Sequence, residues 1–440
     1  MIINFNFKQK NNVLNILFLL IPVLFLLPVN FSNIFCIIYL LTTFFFLKKN
    51  ELNVKTDIID IILFFFFCII ITSSLIEMIS YNVVITGNLL LNIVEKVSVI
   101  RFFFLYWLTK NILQYNLIRI ESFFKVSLFC IIFISTNIIL MHLIGYDIFG
   151  NKETAERFST IFGDRAIAGT YILNFFFFGF IYIYYLNKNN ILITFFFIFF
   201  IGLGILLTLD RMPFILFITF FFFICLLNLK KNYKLLTIFF IITPIFIFLI
   251  LKYEKLSTRL TALYGSLHEM KVLVHNTKDA DLGGYYSYAS IFKESTNIIF
   301  FEKTLIGSGK SSFNSRCRDY RLQTDIRSKI YGYAYACQRH THHLYLEILI
   351  SGGVLGFITF IIAIIIKFFV LIKNILLKKN SDYIINSILL TAFLVEIFPL
   401  RTYGNIFNSY NGLFFFFKIS IIYSIIKYNI LKLDRKKITF

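Results

Sequence analysis

The sequence predicts an all-α integral membrane protein with about 12 transmembrane helices and one long loop outside the cytoplasm. Of the 440 residues, 58% are hydrophobic and 59 are Phe, and the mean hydropathy is +0.80. Apolar runs near the length of about 20 residues that crosses the hydrocarbon core recur along almost the whole chain. Because the backbone N–H and C=O groups of a helix form hydrogen bonds with each other, a helix can cross lipid, so these runs indicate helices.

The apolar runs divide the chain into helices within 1–251, a long polar loop at 252–343 and further helices within 344–440. The predicted spans are 13–29, 31–47, 58–76, 97–113, 123–144, 166–186, 191–209, 213–229, 235–251, 344–372, 383–400 and 412–428.

The formal net charge is +20, which would suggest nucleic acid in a soluble protein. Here we expect no nucleic acid, because the short loops on one side collect the Lys and Arg residues that mark the cytoplasmic face. Both termini then lie in the cytoplasm. The first apolar run has no small-residue cleavage site and a second run follows it closely, so we expect no cleavable signal. Loop 252–343 holds 14 Lys and Arg against 8 Asp and Glu and favours an anionic partner.

Cys317 and Cys337 are the two cysteines of the long loop. An oxidising compartment permits a disulfide between them. This disulfide would close about 20 residues and contribute about 3 kcal/mol. It would fix the chain three residues before His340.

The run His340-Thr341-His342-His343 ends the polar loop and precedes the next apolar helix. A histidine at a membrane surface can take a proton from an attacking hydroxyl near neutral pH. A zinc site is the competing interpretation, since Cys337 and the histidines form C-x2-H-x-H-H. Because His342 and His343 are adjacent and would diverge on a regular helix, the general-base hypothesis is favoured.

Arginines recur in the predicted outer loops. Arg211 lies in a turn between two apolar spans, where a charge is costly unless it faces protein, water or a ligand. Arginine also binds phosphate oxygens through two parallel hydrogen bonds. The other candidates are Arg165, Arg316, Arg339 and Arg401.

Two glycine patterns have structural interpretations. Residues 304–311 resemble the end of a phosphate-binding loop, but Thr304 stands where its first Gly belongs, so a glycine-rich turn is predicted. Gly352-Gly353-x-x-Gly356 predicts close helix packing.

The segment from Cys337 to Gly356 resembles the signature H-P-H-N-x-Y-L-x-x-L-x-E-x-G-x-x-G of the O-antigen ligase superfamily. Residues 305–313, 207–211, 158–169 and 399–404 are similar to further segments of that family. Thr341 replaces the usual Pro and His343 the usual Asn, which puts the role of that Asn in doubt. Glu347 lies near the position of the signature's acidic residue, but not in register with it.

The resemblance implies a GT-C-like, metal-independent glycosyltransferase without a cofactor, with its active site on the periplasmic face of the bacterial inner membrane. The donor would be a glycan on undecaprenyl pyrophosphate, and the acceptor a sugar hydroxyl of lipid A-core. His342 would activate the acceptor with support from His340. Arg211, then Arg165 and Arg316, would bind pyrophosphate. The further substrate-binding candidates are Arg339, Arg401 and Tyr345.

Two alternatives remain open. A polysaccharide polymerase would use the same donor with a growing glycan as acceptor. A glycolipid transporter would also fit many spans and a basic surface, but transporters favour paired, broken helices near the midplane. Here the polar residues gather at one face, beside one large loop.

Overall fold

The computed structural model describes a bundle of α-helices. It describes residues 12–49, 54–80, 89–152, 158, 160–162, 167–186, 190–228, 233–255, 257–258, 295–296, 298–299, 305–310, 312–313, 341–377, 383–399, 401, 404–428 and 430. The helices that concern us, in chain order, are α1 (Asn12–Leu24), α2 (Val29–Lys49), α3 (Ile58–Ser80), α4 (Leu89–Val97), α5 (Ile100–Gln114), α6 (Ile120–Ile144), α7 (Ala168–Leu186), α8 (Ile191–Leu207), α9 (Arg211–Asn228), α10 (Tyr233–Lys252), α11 (Leu344–Leu377), α12 (Tyr383–Glu396) and α13 (Ser409–Tyr428).

The helices confirm an all-α, multi-pass membrane protein. In the part of the chain that the structure describes, eight helices are long and apolar enough to cross a membrane: α2, α3, α6, α7, α9, α10, α11 and α13. A helix lies at each of the other predicted spans too, but α1, α5, α8 and α12 are shorter. A total of twelve crossings therefore stays a prediction. Helix α4, which lies in the region expected from the sequence to be a loop at 77–96, was not predicted.

Helix α13 lies at the centre of the bundle and is buried along almost its whole length. Its phenylalanines contact rings from α1, α3, α5, α6, α7 and α11 and from the turn after α1. The ring centroids are 3.8 Å apart for Phe25 and Phe414 and 6.0 Å apart for Phe102 and Phe416. Helices in lipid gain little from the hydrophobic effect when they associate, so the dispersion attraction of these ring contacts helps to hold the core together. The many Phe residues thus pack α13 against its neighbours.

Several helix ends meet at one end of the bundle, which we call the histidine end. It contains the ends of α1, α3, α6, α8, α10 and α12 and the starts of α2, α5, α7, α9, α11 and α13. Two backbone N–H groups of the loop at 305–310 bind α3 and α11 there: Lys310 N–H donates to Ser74 Oγ at 2.8 Å, and Ser308 N–H donates to Ile350 O at 2.8 Å. All candidate site residues that the structure describes lie at this end.

The opposite end is held by an ion cluster. Lys110 pairs with Asp60, and its Nζ lies 3.5 Å from Asp57 Oδ2. Lys427 Nζ lies 2.5 Å from the same Asp57 atom, and Tyr423 donates to it at 2.9 Å. Burial would raise the pKa of Asp57, but Lys110 and Lys427 outweigh it and hold that pKa well below its usual value. The cluster fixes α3, α5 and α13 far from the histidines.

Candidate active site

The histidine run forms a tight turn immediately before α11. His342 has φ of 54°, in the left-handed region that costs energy for a residue with a Cβ. Helix α11 begins two residues later, at Leu344. Such outliers persist where surrounding contacts enforce them, and they concentrate at functional sites.

His343 supplies contacts that enforce this turn. Its Nδ1 accepts a hydrogen bond from Leu346 N–H at 3.3 Å, as a helix cap does. Its Nε2 lies 2.8 Å from the carbonyl oxygen of Pro399. Since Nδ1 accepts, we assign the ring proton to Nε2, which donates to Pro399. Burial lowers the pKa of His343, although the bond to Pro399 opposes this, and a lowered pKa favours this neutral form.

This arrangement explains one departure from the family signature. The signature places Asn where His343 stands, and Asn is among the preferred capping residues because its side-chain oxygen accepts from the first turn. His343 Nδ1 accepts from that turn through a ring nitrogen. His343 therefore contributes to structure through both ring nitrogens, and the general-base hypothesis falls on His342.

Thr341 and Glu347 close the same turn. Glu347 Oε2 accepts from Thr341 N–H at 3.2 Å and lies 3.2 Å from Thr341 Oγ1. Thr341 Oγ1 also lies 3.0 Å from His343 O and accepts from His343 N–H at 3.3 Å. The Pro of the family signature has no N–H to donate. The backbone bond to Glu347 therefore depends on having Thr341 in place of Pro.

Tyr345 points toward the end of α12. Its hydroxyl donates to the carbonyl oxygen of Ile397, and its ring centroid lies 5.8 Å from that of His343. Together with the bond from His343 to Pro399, this contact fastens the first turn of α11 to the segment after α12. Two segments that each resemble the family, at 337–356 and 399–404, are thus joined in the structure.

Arg211 is the first residue of α9 and is half-buried. The turn before it has Leu209 at φ of 60°, and Thr208 Oγ1 accepts from Asp210 N–H at 3.2 Å. Gly169 at the start of α7 packs against this turn so closely that a Cβ there would lie 2.7 Å from Thr208 Oγ1. The predicted outer segments around 169 and 211 therefore meet at the histidine end.

Arg401 lies in the interior, with 3% of its surface exposed. Its Nη1 lies 2.8 Å from Glu396 Oε2, and its Nη2 donates to Asn174 Oδ1 at 3.3 Å. Lys418 pairs with Glu396 as well, donates to Asn174 Oδ1 at 3.3 Å and lies 4.3 Å from the Phe177 ring centroid. This cluster joins α7, α12 and α13.

Glu396, Lys418 and Asn174 were not predicted from the sequence as site residues. Glu396 and Lys418 could have been singled out from the sequence, because a charged residue within an apolar span is costly unless it pairs inside the bundle. Which charges pair could not be read from residues 174, 396 and 418, which lie far apart in the chain.

The glycine loop at 305–310 docks against a break in α11. Gly353 has φ of 61° and ψ of −165°, which interrupts the helix. Ser308 N–H and Gly309 N–H donate to the carbonyls of Ile350 and Ser351 at 2.8 and 2.9 Å. With Lys310 N–H bound to Ser74 Oγ, three consecutive backbone donors of the loop are used. The loop is therefore a glycine-rich turn, as predicted, and not a phosphate cradle.

Several predicted site residues lie outside the described part of the chain: His340, Arg165, Arg316, Arg339, Cys317 and Cys337. The supporting role of His340, substrate binding by Arg165, Arg316 and Arg339, and the disulfide between Cys317 and Cys337 therefore stay predictions. Within the described residues, no group of His, Cys, Asp and Glu is arranged to hold a metal ion.

Comparison with known families gives one match. The family model described as O-Antigen ligase matches residues 195–361, which run from α8 to the middle of α11 and include Arg211, the glycine loop and the histidine turn. No curated protein matches the chain. The match over this part of the chain supports the O-antigen ligase superfamily, and in general terms an O-antigen ligase or polymerase-type activity.

Proposed function

We propose that this protein transfers a glycan from undecaprenyl pyrophosphate to a sugar hydroxyl of lipid A-core at the periplasmic face of the inner membrane. The observation that carries the proposal is the turn before α11. His343 caps the helix with Nδ1 and binds Pro399 with Nε2, while His342 beside it is held in a strained left-handed conformation. A preorganised histidine at a membrane surface suits general-base catalysis.

His342 would accept the proton of the acceptor hydroxyl as its oxygen attacks the anomeric carbon of the donor glycan. The bond from that carbon to the phosphate oxygen breaks, and undecaprenyl pyrophosphate leaves with the electron pair. His340 would support His342 in this step.

The leaving pyrophosphate gains negative charge as the bond breaks, so cations must be placed near it. Arg211 is the first candidate, because it is held at the start of α9 by a turn packed on Gly169. Arg165, Arg316 and Arg339 are further candidates, and Tyr345 is proposed to contact the substrates. Arg401 is a weaker candidate, since Glu396 already neutralises it in the interior. With arginines supplying the positive charge, we expect transfer to need no metal ion and to continue in EDTA.

The test is transfer in vitro from a synthetic undecaprenyl-pyrophosphate glycan to lipid A-core by purified wild-type protein, His342→Ala, Arg211→Ala and His343→Asn. We expect both Ala variants to lose at least about a hundredfold in rate, as removal of a general base or a charge-stabilising donor does. His343→Asn is the matched control and should stay active. Unchanged transfer in both Ala variants would refute the site.

A polymerase is the second candidate, since the family includes polymerase-type activity. Offering lipid A-core and free glycan as rival acceptors separates the two functions: elongation of free glycan with no transfer to core would identify a polymerase. Turnover of donor by purified protein without any membrane gradient would exclude the transporter alternative.

A further inference from the structure

A shallow, partly open apolar groove lies between α1, α2, α5 and α13 at the histidine end. Ile21, Phe35, Cys36, Leu105 and Leu413 line it. The functional proposal assigns no role to this groove.

The two hydroxyls in the lining are both bonded within the protein. Ser32 Oγ donates to Leu24 O at 3.2 Å, and Tyr39 OH lies 3.1 Å from Thr109 Oγ1. The groove therefore presents hydrocarbon to whatever fills it, and a polar headgroup inside it would lose hydrogen bonds to water without replacement. An extended apolar chain suits such a groove.

A cationic residue lies beside the groove. Arg101 is in the first turn of α5, four residues before Leu105, so both side chains lie along one face of that helix. Its guanidinium lies over the Phe102 ring, 5.0 Å from the ring centroid. The groove thus has a positive charge near its end.

Arg101 belongs to a larger basic cluster, formed with Lys96, Lys310 and the carboxylate Glu95. Lys96 Nζ donates to Lys310 O at 3.3 Å, and Lys310 Nζ lies 3.8 Å from Glu95 Oε1. Burial lowers the pKa of Lys310; the charge of Glu95 opposes this, whereas the charges of Arg101 and Lys96 lower it further. Lys310 thus meets two like charges and one carboxylate, and an anion bound there would stabilise the cluster.

We propose that the groove and this basic cluster bind an anionic phospholipid of the membrane, with one acyl chain in the groove and the headgroup phosphate at Arg101 and Lys96. The chemistry matches at both ends, because apolar grooves take hydrocarbon and arginine binds phosphate oxygens through charge-assisted hydrogen bonds. The pyrophosphate of the proposed donor is assigned to Arg211, on α9, which does not line this groove. The lipid would act as a bound structural component.

The experiment measures binding of phosphatidylglycerol to the purified full chain in detergent by native mass spectrometry, with phosphatidylcholine as the headgroup comparison. The variants are Arg101→Gln, Arg101→Lys and the groove-filling Cys36→Phe. Lys252→Gln is the matched control, because Lys252 is an exposed cation at the same end of the bundle, on the last turn of α10. Elution of each variant as a single species checks its fold.

We expect Arg101→Gln to weaken phosphatidylglycerol binding about tenfold, the loss of one charge-assisted contact, with little effect on phosphatidylcholine. Cys36→Phe should weaken binding of both lipids, and Arg101→Lys and Lys252→Gln should bind like wild type. If Arg101→Gln does not fold, Lys96→Gln takes its place with the same expectation.

Two results would overturn the proposal. One is equal binding of the two lipids with no effect of Arg101→Gln or its substitute. The other is displacement of phosphatidylglycerol by an equimolar amount of undecaprenyl pyrophosphate, which would assign the groove to the donor.

Discussion

The Nε2 atom of His343 lies 2.8 Å from the carbonyl oxygen of Pro399, 56 positions further along the chain. This bond and the cap that Nδ1 makes on Leu346 N–H assign His343 to the framework of the site. The neighbouring His342 then carries the catalytic hypothesis. A run of adjacent histidines is in this way divided into a positioning residue and a base.

The cap predicts the effects of substitutions at 343. His343→Ala should lower the free energy of unfolding by about 1–2 kcal/mol, the cost of losing a helix cap. His343→Asn should cost less, because its side-chain oxygen can accept from Leu346 N–H. Unfolding in detergent measures both. His342→Asn, which leaves the cap intact, should unfold like wild type while losing transfer, and an equal loss of stability at 342 and 343 would contradict the division of roles.

The same residue predicts a pH dependence of stability. The folded pKa of His343 is lowered, so the unfolded chain, with a pKa of about 6.5, takes up the proton first as the pH falls. The contribution of neutral His343 to the free energy of unfolding should be complete above about pH 6.5 and should be lost as the pH falls through the folded pKa. Thermal midpoints of wild type and His343→Asn between about pH 5 and 8 test this. The wild type should lose more stability in acid, and parallel curves would show that His343 is not the source.

Thr341 and Glu347 should be energetically coupled. Thr341→Val removes the hydroxyl near Glu347 Oε2 but keeps the backbone N–H, and Glu347→Leu removes the acceptor of both. Each single variant should lose about 1–3 kcal/mol, because a buried polar group loses a partner. The double variant should lose less than the sum, by at least about 0.5 kcal/mol. Strictly additive losses in the double-mutant cycle would show that the pair does not hold the turn.

The glycine loop should tolerate no side chain at 309. Gly309 has φ of 82°, and a Cβ there would lie 2.4 Å from Ser74 Cα. Because that contact is with backbone, Gly309→Ala should cost several kcal/mol or prevent folding, more than the roughly 1 kcal/mol of a left-handed alanine in open space. Gly150→Ala, with φ of 79° and open surroundings, is the control for φ. Gly356→Ala, where the nearest atom would be 3.7 Å away, is the control for volume, and folded yield and thermal midpoint are the measurements.

The interior ion cluster should depend on Glu396. Glu396→Gln leaves Arg401 and Lys418 buried without their carboxylate, which should cost about 3–5 kcal/mol. Adding Lys418→Met removes one of the two stranded cations and should restore part of the loss. Glu95→Gln, at a carboxylate that is 59% exposed, should change stability by less than about 1 kcal/mol. Unfolding in detergent measures all three, and no rescue by Lys418→Met would argue against a charge effect.

The sequence by itself determined where the long apolar helices lie, though not the short α4, and which family signature they carry. Apolar runs of spanning length can form only helices in lipid, so the pattern predicted a helix at each expected span. The signature from 337 to 356 predicted the superfamily that the match over 195–361 supports. Glycines at 307 and 309 predicted a turn because local chemistry suffices for turns.

Only the tertiary structure decided what each polar residue does. His343, Arg401 and Lys310 have partners 56, 227 and 215 positions away in the chain, and local pattern does not select among such partners. In a bundle whose lipid-facing and inward surfaces are both apolar, hydrophobic periodicity cannot set the rotation of a helix. Hydrogen bonds and ion pairs between distant segments set it, and they therefore decide that His343 caps a helix and that Arg401 is buried.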